Sequence, residues 1–140
     1  MVIKVMSRAN ATEFFSQLHK ERFAVISISD IDCESPVFVQ EPHHRLKLHF
    51  ADAEIEQPDC ITDEQANEIS RFVFGVRDDV DVIIVHCMAG ISRSAGVAAA
   101  IMKFLNDDDW DIFDNPKYCP NRTCYRKVLN ALHEHKNQKQ

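Results

Sequence analysis

At 140 residues and 45% hydrophobic content, the chain has enough apolar side chains for one core and too few residues for two ordinary domains, so residues 1–140 are expected to form a single domain. A formal charge of −6 provides no basic face of the kind that nucleic acid or an anionic membrane surface requires, and neither is expected as a partner. No apolar run approaches the length of a membrane span, and the opening Met1-Val2-Ile3-Lys4-Val5 lacks the basic start and longer apolar core of a signal peptide, which predicts a soluble intracellular protein.

Residues 2–6 and 23–28 read as strands. Between them, Asn10 with Glu13 predicts a capping box ahead of a helix whose apolar residues are Ala11, Phe14, Phe15 and Leu18. Val37, Phe38 and Val39 mark a loop with room for a short strand, and Leu46, Leu48 and Phe50 alternate with Lys47 and His49 as a half-buried strand. His43, His44 and Arg45 read as a solvated turn, with lining the entrance of a site as the alternative. A second capping box, Thr62 with Gln65, predicts a helix with Ala66, Ile69, Val73 and Val76 on one face. The acidic groups Asp78-Asp79-Asp81 and Asp107-Asp108-Asp109 read as solvated loops.

The run Val82-Ile83-Ile84-Val85 is a buried strand. Val97, Ala98, Ile101, Phe104 and Leu105 then mark a helix starting near Ser92 and ending by Asp107. Trp110, Ile112, Phe113 and Tyr118 are expected to pack a connection onto the body. Asn121 caps a last helix with Cys124, Val128, Ala131 and Leu132 inward, and the polar residues 136–140 are expected to fray. Alternating strand and helix signals predict an α/β three-layer sandwich, a central mostly parallel sheet flanked by helices.

The most informative segment is His86-Cys87-Met88-Ala89-Gly90-Ile91-Ser92-Arg93-Ser94, a cysteine and an arginine at the two ends of one short loop between strand and helix. Backbone amides of such a loop can turn inward as a nest, and the helix start adds its positive end. Gly90 permits a turn that a Cβ resists, and Arg93 offers a planar, permanently charged fork for phosphate oxygens. A thiol at the floor of that site is favoured as thiolate, which makes Cys87 a candidate nucleophile and Met88, Ala89, Gly90, Ile91, Ser92 and Arg93 a candidate phosphate-binding loop. A buried inert cysteine beside a solvated arginine is the plainer alternative, and the joint spacing of cysteine, glycine, arginine and serine disfavours it.

This segment resembles the signature of the cysteine-dependent protein tyrosine phosphatases: His-Cys, five residues, then Arg followed by Ser or Thr. With Gly90 and the Ser92-Arg93-Ser94 ending it is most similar to the compact dual-specificity branch. The resemblance implies that Cys87 attacks phosphorus, Arg93 holds the phosphoryl oxygens, Ser94 assists the thiolate as leaving group and His86 braces the loop. It also implies a carboxylic acid, on a loop upstream of the cysteine, that protonates the departing oxygen. Asp52 after Phe50 is the choice, with Asp59, Glu54 and Glu56 as alternatives. The reaction implied needs no metal or other cofactor, and the substrate implied is a phosphorylated protein or a small phosphomonoester.

Relatives that act on phosphoinositides often carry lysines inside this loop, whereas Met88, Ala89 and Ile91 are uncharged, which favours a monophosphate. Two further readings remain: a phosphate-binding module without turnover, and another thiol enzyme such as a sulfurtransferase or arsenate reductase. Five cysteines in no tight framework suit a reducing compartment, the cytoplasm. Cys119 and Cys124 with His133 and His135 fit no standard zinc spacing. Cys33, Cys60 and Cys124 are the candidates for trapping an oxidised Cys87.

Overall fold

The structure is a computed structural model that describes residues 1–55 and 57–139. In chain order the elements are β1 (Val2–Ser7), α1 (Arg8–Phe14), β2 (Phe23–Ser29), β3 (His44–His49), α2 (Asp63–Val76), β4 (Val82–Cys87), α3 (Arg93–Asn106), α4 (Trp110–Phe113) and α5 (Arg122–Lys139). The four strands form one sheet in the order β1-β4-β2-β3, and every pair is parallel. All strands therefore end at the same edge, where Ser7 pairs with Cys87 and Ser29 with His49. Outside the carboxyl ends of parallel strands is where α/β sheets place their sites.

The two central strands are buried along their whole length, which is why residues 82 to 85 read as an unbroken apolar run. Alternate side chains supply two cores. Ala24, Ile26, Ile28, Ile83 and Val85 pack with α2, α3 and α5, while Phe23, Val25, Val82 and Ile84 pack with Ala11 and Phe15 on the α1 side. Helices thus cover both faces, giving the three layers expected. No helix among the described residues is long and apolar enough to cross a membrane.

Several local expectations change. The cap of α1 is Ser7, whose hydroxyl accepts from the Asn10 amide at 3.1 Å, so the helix starts before Asn10, and it ends at Phe14, leaving Leu18 exposed. The last residue of β1 caps the next helix directly because its backbone already pairs with β4. Val37 to Val39 form no strand. Phe38 alone is buried, against Phe15 and the Arg45 guanidinium, and its neighbours are exposed.

The Thr62 and Gln65 box is present with both bonds at 3.0 Å, and Gln65 Nε2 also donates to the His49 carbonyl, tying α2 to the end of β3. Asp107, at φ 59°, stops α3 as anticipated. Helix α5 continues through Lys139, so residues 136–139 of the segment expected to fray are helical, and Gln140 lies outside the described residues. Trp110 is exposed and packs no connection, whereas Ile112 is buried.

His43, His44 and Arg45 do not line an entrance. They lie at the start of β3, the sheet edge opposite Cys87. Asp79 there accepts from both Arg22 and His44, so part of the acidic turn is an anchor for β2 and β3 rather than a free loop. Arg45 turns inward.

Candidate active site

The loop from Cys87 to Arg93 leaves the middle of the sheet and enters α3. Gly90 has φ +69°, and a Cβ there would lie 2.6 Å from the Ser7 nitrogen, so both the backbone sign and the space demand glycine. The loop rests on the end of β1, where the Arg8 amide donates to the Met88 carbonyl at 3.2 Å. Ser92, at the start of α3, makes no capping bond with its side chain; its hydroxyl donates instead to Asp52 Oδ1 at 2.8 Å. Ser92 therefore does not fill the first-turn amides of this four-turn helix with its own side chain, the arrangement that favours an anion.

Cys87 Sγ is buried, 3.1 Å from Ser94 Oγ and 3.3 Å from the Gly90 nitrogen. Burial by itself works against the thiolate. The Ser94 hydroxyl, the amides of Ser94 and Gly90 and the charge of Arg93 outweigh it and hold the thiol below its ordinary value. The sulfur therefore sits among polar donors and is not packed in oil. Cys124 shows the contrast: fully buried without such donors, its thiol is pushed far up.

Arg93 is buried, and Nη1 donates to Asp30 Oδ1 at 2.7 Å and to the Phe50 carbonyl at 2.9 Å. Those bonds fix one edge of the guanidinium. Among the described residues, Nε and Nη2 make no hydrogen bond to protein, which leaves a donor edge for an anion.

Of the carboxylates considered for proton transfer, Asp52 is the one brought to the loop. Its Oδ1 accepts from Ser92 Oγ and, at 2.9 Å, from Asn121 Nδ2. Glu54 instead accepts from the Arg122 amide, Asp59 is exposed and ties back through its backbone to Ala51, and Glu56 lies outside the described residues. Buried Asn121 also caps α5, its Oδ1 accepting from the Cys124 amide at 2.9 Å, and its own amide donates to the Ser92 carbonyl. Gly96 permits this junction, because a Cβ there would sit 2.3 Å from the Asn121 carbonyl oxygen.

His86 is fully buried beneath the loop, with Nε2 at 2.7 Å from Ser27 Oγ. Desolvation first, then the charges of Arg45 and Arg8, hold it down at about 4, so the ring is neutral near pH 7.

Sequence does not single out Asp30, Asn121 or Ser27 as site residues, and it offers Arg45 only as a residue lining an entrance. For Asp30 a signal existed: a carboxylate immediately after a buried strand that runs parallel to the one ending in Cys87. Asn121 was legible only as a cap. Elsewhere, Cys119 is exposed while the His133 and His135 rings pack on Phe104 and Phe74, and no three metal-ligating side chains converge among the described residues. Cys33 lies against Arg8 and Cys60 is buried.

No family model and no curated protein matches the sequence. Solved structures do match. Human DUSP28 is similar at a TM-score of 0.62 and 14% identity, covering 97% of this chain and 94% of that one. The PTP-2 phosphatase of Cydia pomonella is similar at 0.61 and 17% identity, covering 93% and 85%. PTPMT1 in complex with PI(5)P is similar at 0.61 and 13% identity, covering 99% and 95%. Together with the all-parallel sheet that sets the Cys87 loop at its carboxyl edge, these matches show that the chain has the compact dual-specificity phosphatase fold.

Proposed function

We propose that the protein hydrolyses phosphomonoesters through a phosphocysteine intermediate, as a tyrosine or dual-specificity protein phosphatase. The observation that carries this reading is the buried Cys87 sulfur, within reach of the Ser94 hydroxyl and the Gly90 amide at the start of a loop that ends in the anchored Arg93. The thiolate attacks phosphorus in line, the bond from phosphorus to the ester oxygen breaks, and that oxygen takes a proton from Asp52. Water then attacks the phosphocysteine and gives a proton to Asp52, and the sulfur leaves as thiolate with Ser94 as its hydrogen-bond donor. Arg93 and the amides of residues 88 to 93 meet the charge on the three equatorial oxygens, and donors of this type contribute roughly 3 to 4 kcal/mol each.

Two donors on Oδ1 of Asp52 leave Oδ2 as the oxygen that carries the proton. Asp52→Asn is therefore expected to lower kcat by about 100-fold for substrates with poor leaving groups, and far less for aryl phosphates whose phenols are acidic. Equal losses for both kinds of substrate would remove Asp52 from proton transfer.

The uncharged Met88, Ala89 and Ile91 support a monophosphate on a protein rather than the phosphoinositide held by PTPMT1. A depressed thiol suits a reducing compartment such as the cytoplasm. The direct test compares a generic aryl phosphate with thiosulfate and arsenate as substrates. Hydrolysis of the first alone, inhibited by vanadate and unaffected by chelators, is expected. Tight vanadate binding without turnover would favour a phosphate-binding module, and turnover of either other substrate a different thiol enzyme.

A further inference from the structure

Behind the loop, on the α1 face of the sheet, lies a buried polar chain that the proposed reaction does not use. The Arg45 side chain is 7% exposed, with its guanidinium 4.0 Å above the Phe38 ring. Its Nη2 donates to the Pro36 carbonyl at 2.7 Å, and its Nε donates to Ser27 Oγ at 3.0 Å. Glu41 pairs with Nη1 from the exposed side at 3.6 Å. Ser27 is fully buried and lies opposite His86 in the pairing of β2 with β4.

One assignment of the protons along this chain gives the Ser27 hydroxyl hydrogen an acceptor. Arginine has no acceptor, so Ser27 Oγ must accept from Arg45. Among the described residues, the only acceptor at hydrogen-bond distance for the Ser27 hydroxyl hydrogen is His86 Nε2, at 2.7 Å. The neutral imidazole therefore carries its hydrogen on Nδ1. That nitrogen is buried with no hydrogen-bond partner among the described residues, and the ring as a whole lies by the backbone of Cys87.

We infer that Ser27 and Arg45 are positioning residues for the nucleophile: a relay from buried guanidinium through hydroxyl to imidazole that holds His86 in its Nδ1–H form and aims that hydrogen at the Cys87 peptide. The inference rests on the proposed function in taking Cys87 as the nucleophile. Apart from the relay, the charged group closest in effect on the ring is Arg8 at the start of α1, whereas the groups facing the sulfur itself are Ser94, Gly90 and Arg93. A ring fixed in one tautomer holds the end of β4, and with it the sulfur, against the Gly90 and Ser94 amides. A ring free to flip lets that alignment relax.

The test reads the thiol and the ring rather than turnover. In the unaltered protein, nitrogen-15 and carbon-13 shifts of the His86 ring near pH 7 are expected to report the Nδ1–H tautomer, with the signal assigned from its loss in His86→Gln. In Ser27→Ala they should move toward a mixture. Alkylation of the Cys87 peptide by iodoacetamide, followed by mass spectrometry, should slow about three- to tenfold near pH 6 in that variant while keeping its high-pH plateau. Ser27→Thr, which keeps the hydroxyl, should restore both signals. Should Ser27→Ala fail to fold, Arg45→Met keeps the stem over Phe38, removes the donors and is expected to shift the alkylation profile the same way. An Nε2–H tautomer in the unaltered protein, or a folded variant with both signals unchanged, overturns the relay. Because neither readout needs a phosphate ester, a failed relay and a failed phosphatase assignment give different results.

Discussion

Cys87→Ser is expected to abolish turnover of an aryl phosphate, by at least about 10⁴-fold, while leaving vanadate or phosphate binding at the loop intact. A serine hydroxyl ionises far above the working pH, so the same amides and guanidinium that stabilise a thiolate cannot hold an alkoxide there. Ser94 and Gly90 would still find an oxygen to bond, and the loop should keep its shape. Rapid denaturation during turnover should trap phosphate on sulfur in the unaltered chain and none in the variant. The thiol sits below its ordinary value when folded, so Cys87 should react with iodoacetamide as an anion at pH values where a free cysteine is protonated. That reactivity is present above the depressed value and is lost as pH falls through it. A serine variant that still hydrolysed the substrate would end the covalent mechanism.

Arg93→Lys is expected to cost about 10³-fold in kcat/KM and to weaken vanadate by a similar factor, the scale of losing a preorganised donor at the developing charge. The charge is conserved but the fork is not: an ammonium cannot bond Asp30 and the Phe50 carbonyl along one edge while offering two parallel donors on the other. The variant also leaves the Asp30 carboxylate poorly paired at the rim of an anion site. Asp30→Asn separates the two effects, since it keeps the guanidinium and removes the competing charge. Retention of kcat/KM within about threefold in the lysine variant would show that the loop amides alone suffice.

The candidate site was legible where it is contiguous. Residues 86 to 94 carry the candidate nucleophile, the glycine turn and the guanidinium within one strand, loop and helix start, and local spacing constrains all of them at once. Asp52 was legible through its place after an alternating strand, though only Ser92 and Asn121 distinguish it from Glu54 and Asp59. Asn10 was read as a helix cap because it has the right side chain at the right distance from Glu13. Ser7 takes that role because β1 pairs with β4 to its last residue, and pairing across 80 positions leaves no trace in a local window.

Arg45 shows the same limit from the other side. Between two histidines and a polar alternation it reads as a solvated turn, and it becomes a buried donor only because Phe38 and Pro36, on a loop without regular structure, fold over it. Asn121 likewise reads as a cap, yet holds Asp52 from 69 positions away.

The sequence alone determined the periodicities that make strands and helices, the α/β class, and the chemistry concentrated between His86 and Ser94, because each depends on neighbours within one or two turns of chain. Only the tertiary structure decided which carboxylate meets the loop, what anchors Arg93, and that Ser27 and Arg45 stand behind His86. Those outcomes depend on the register of parallel strands and on which loop covers which face. The contacts that set register and coverage here join residues from 9 to 69 positions apart.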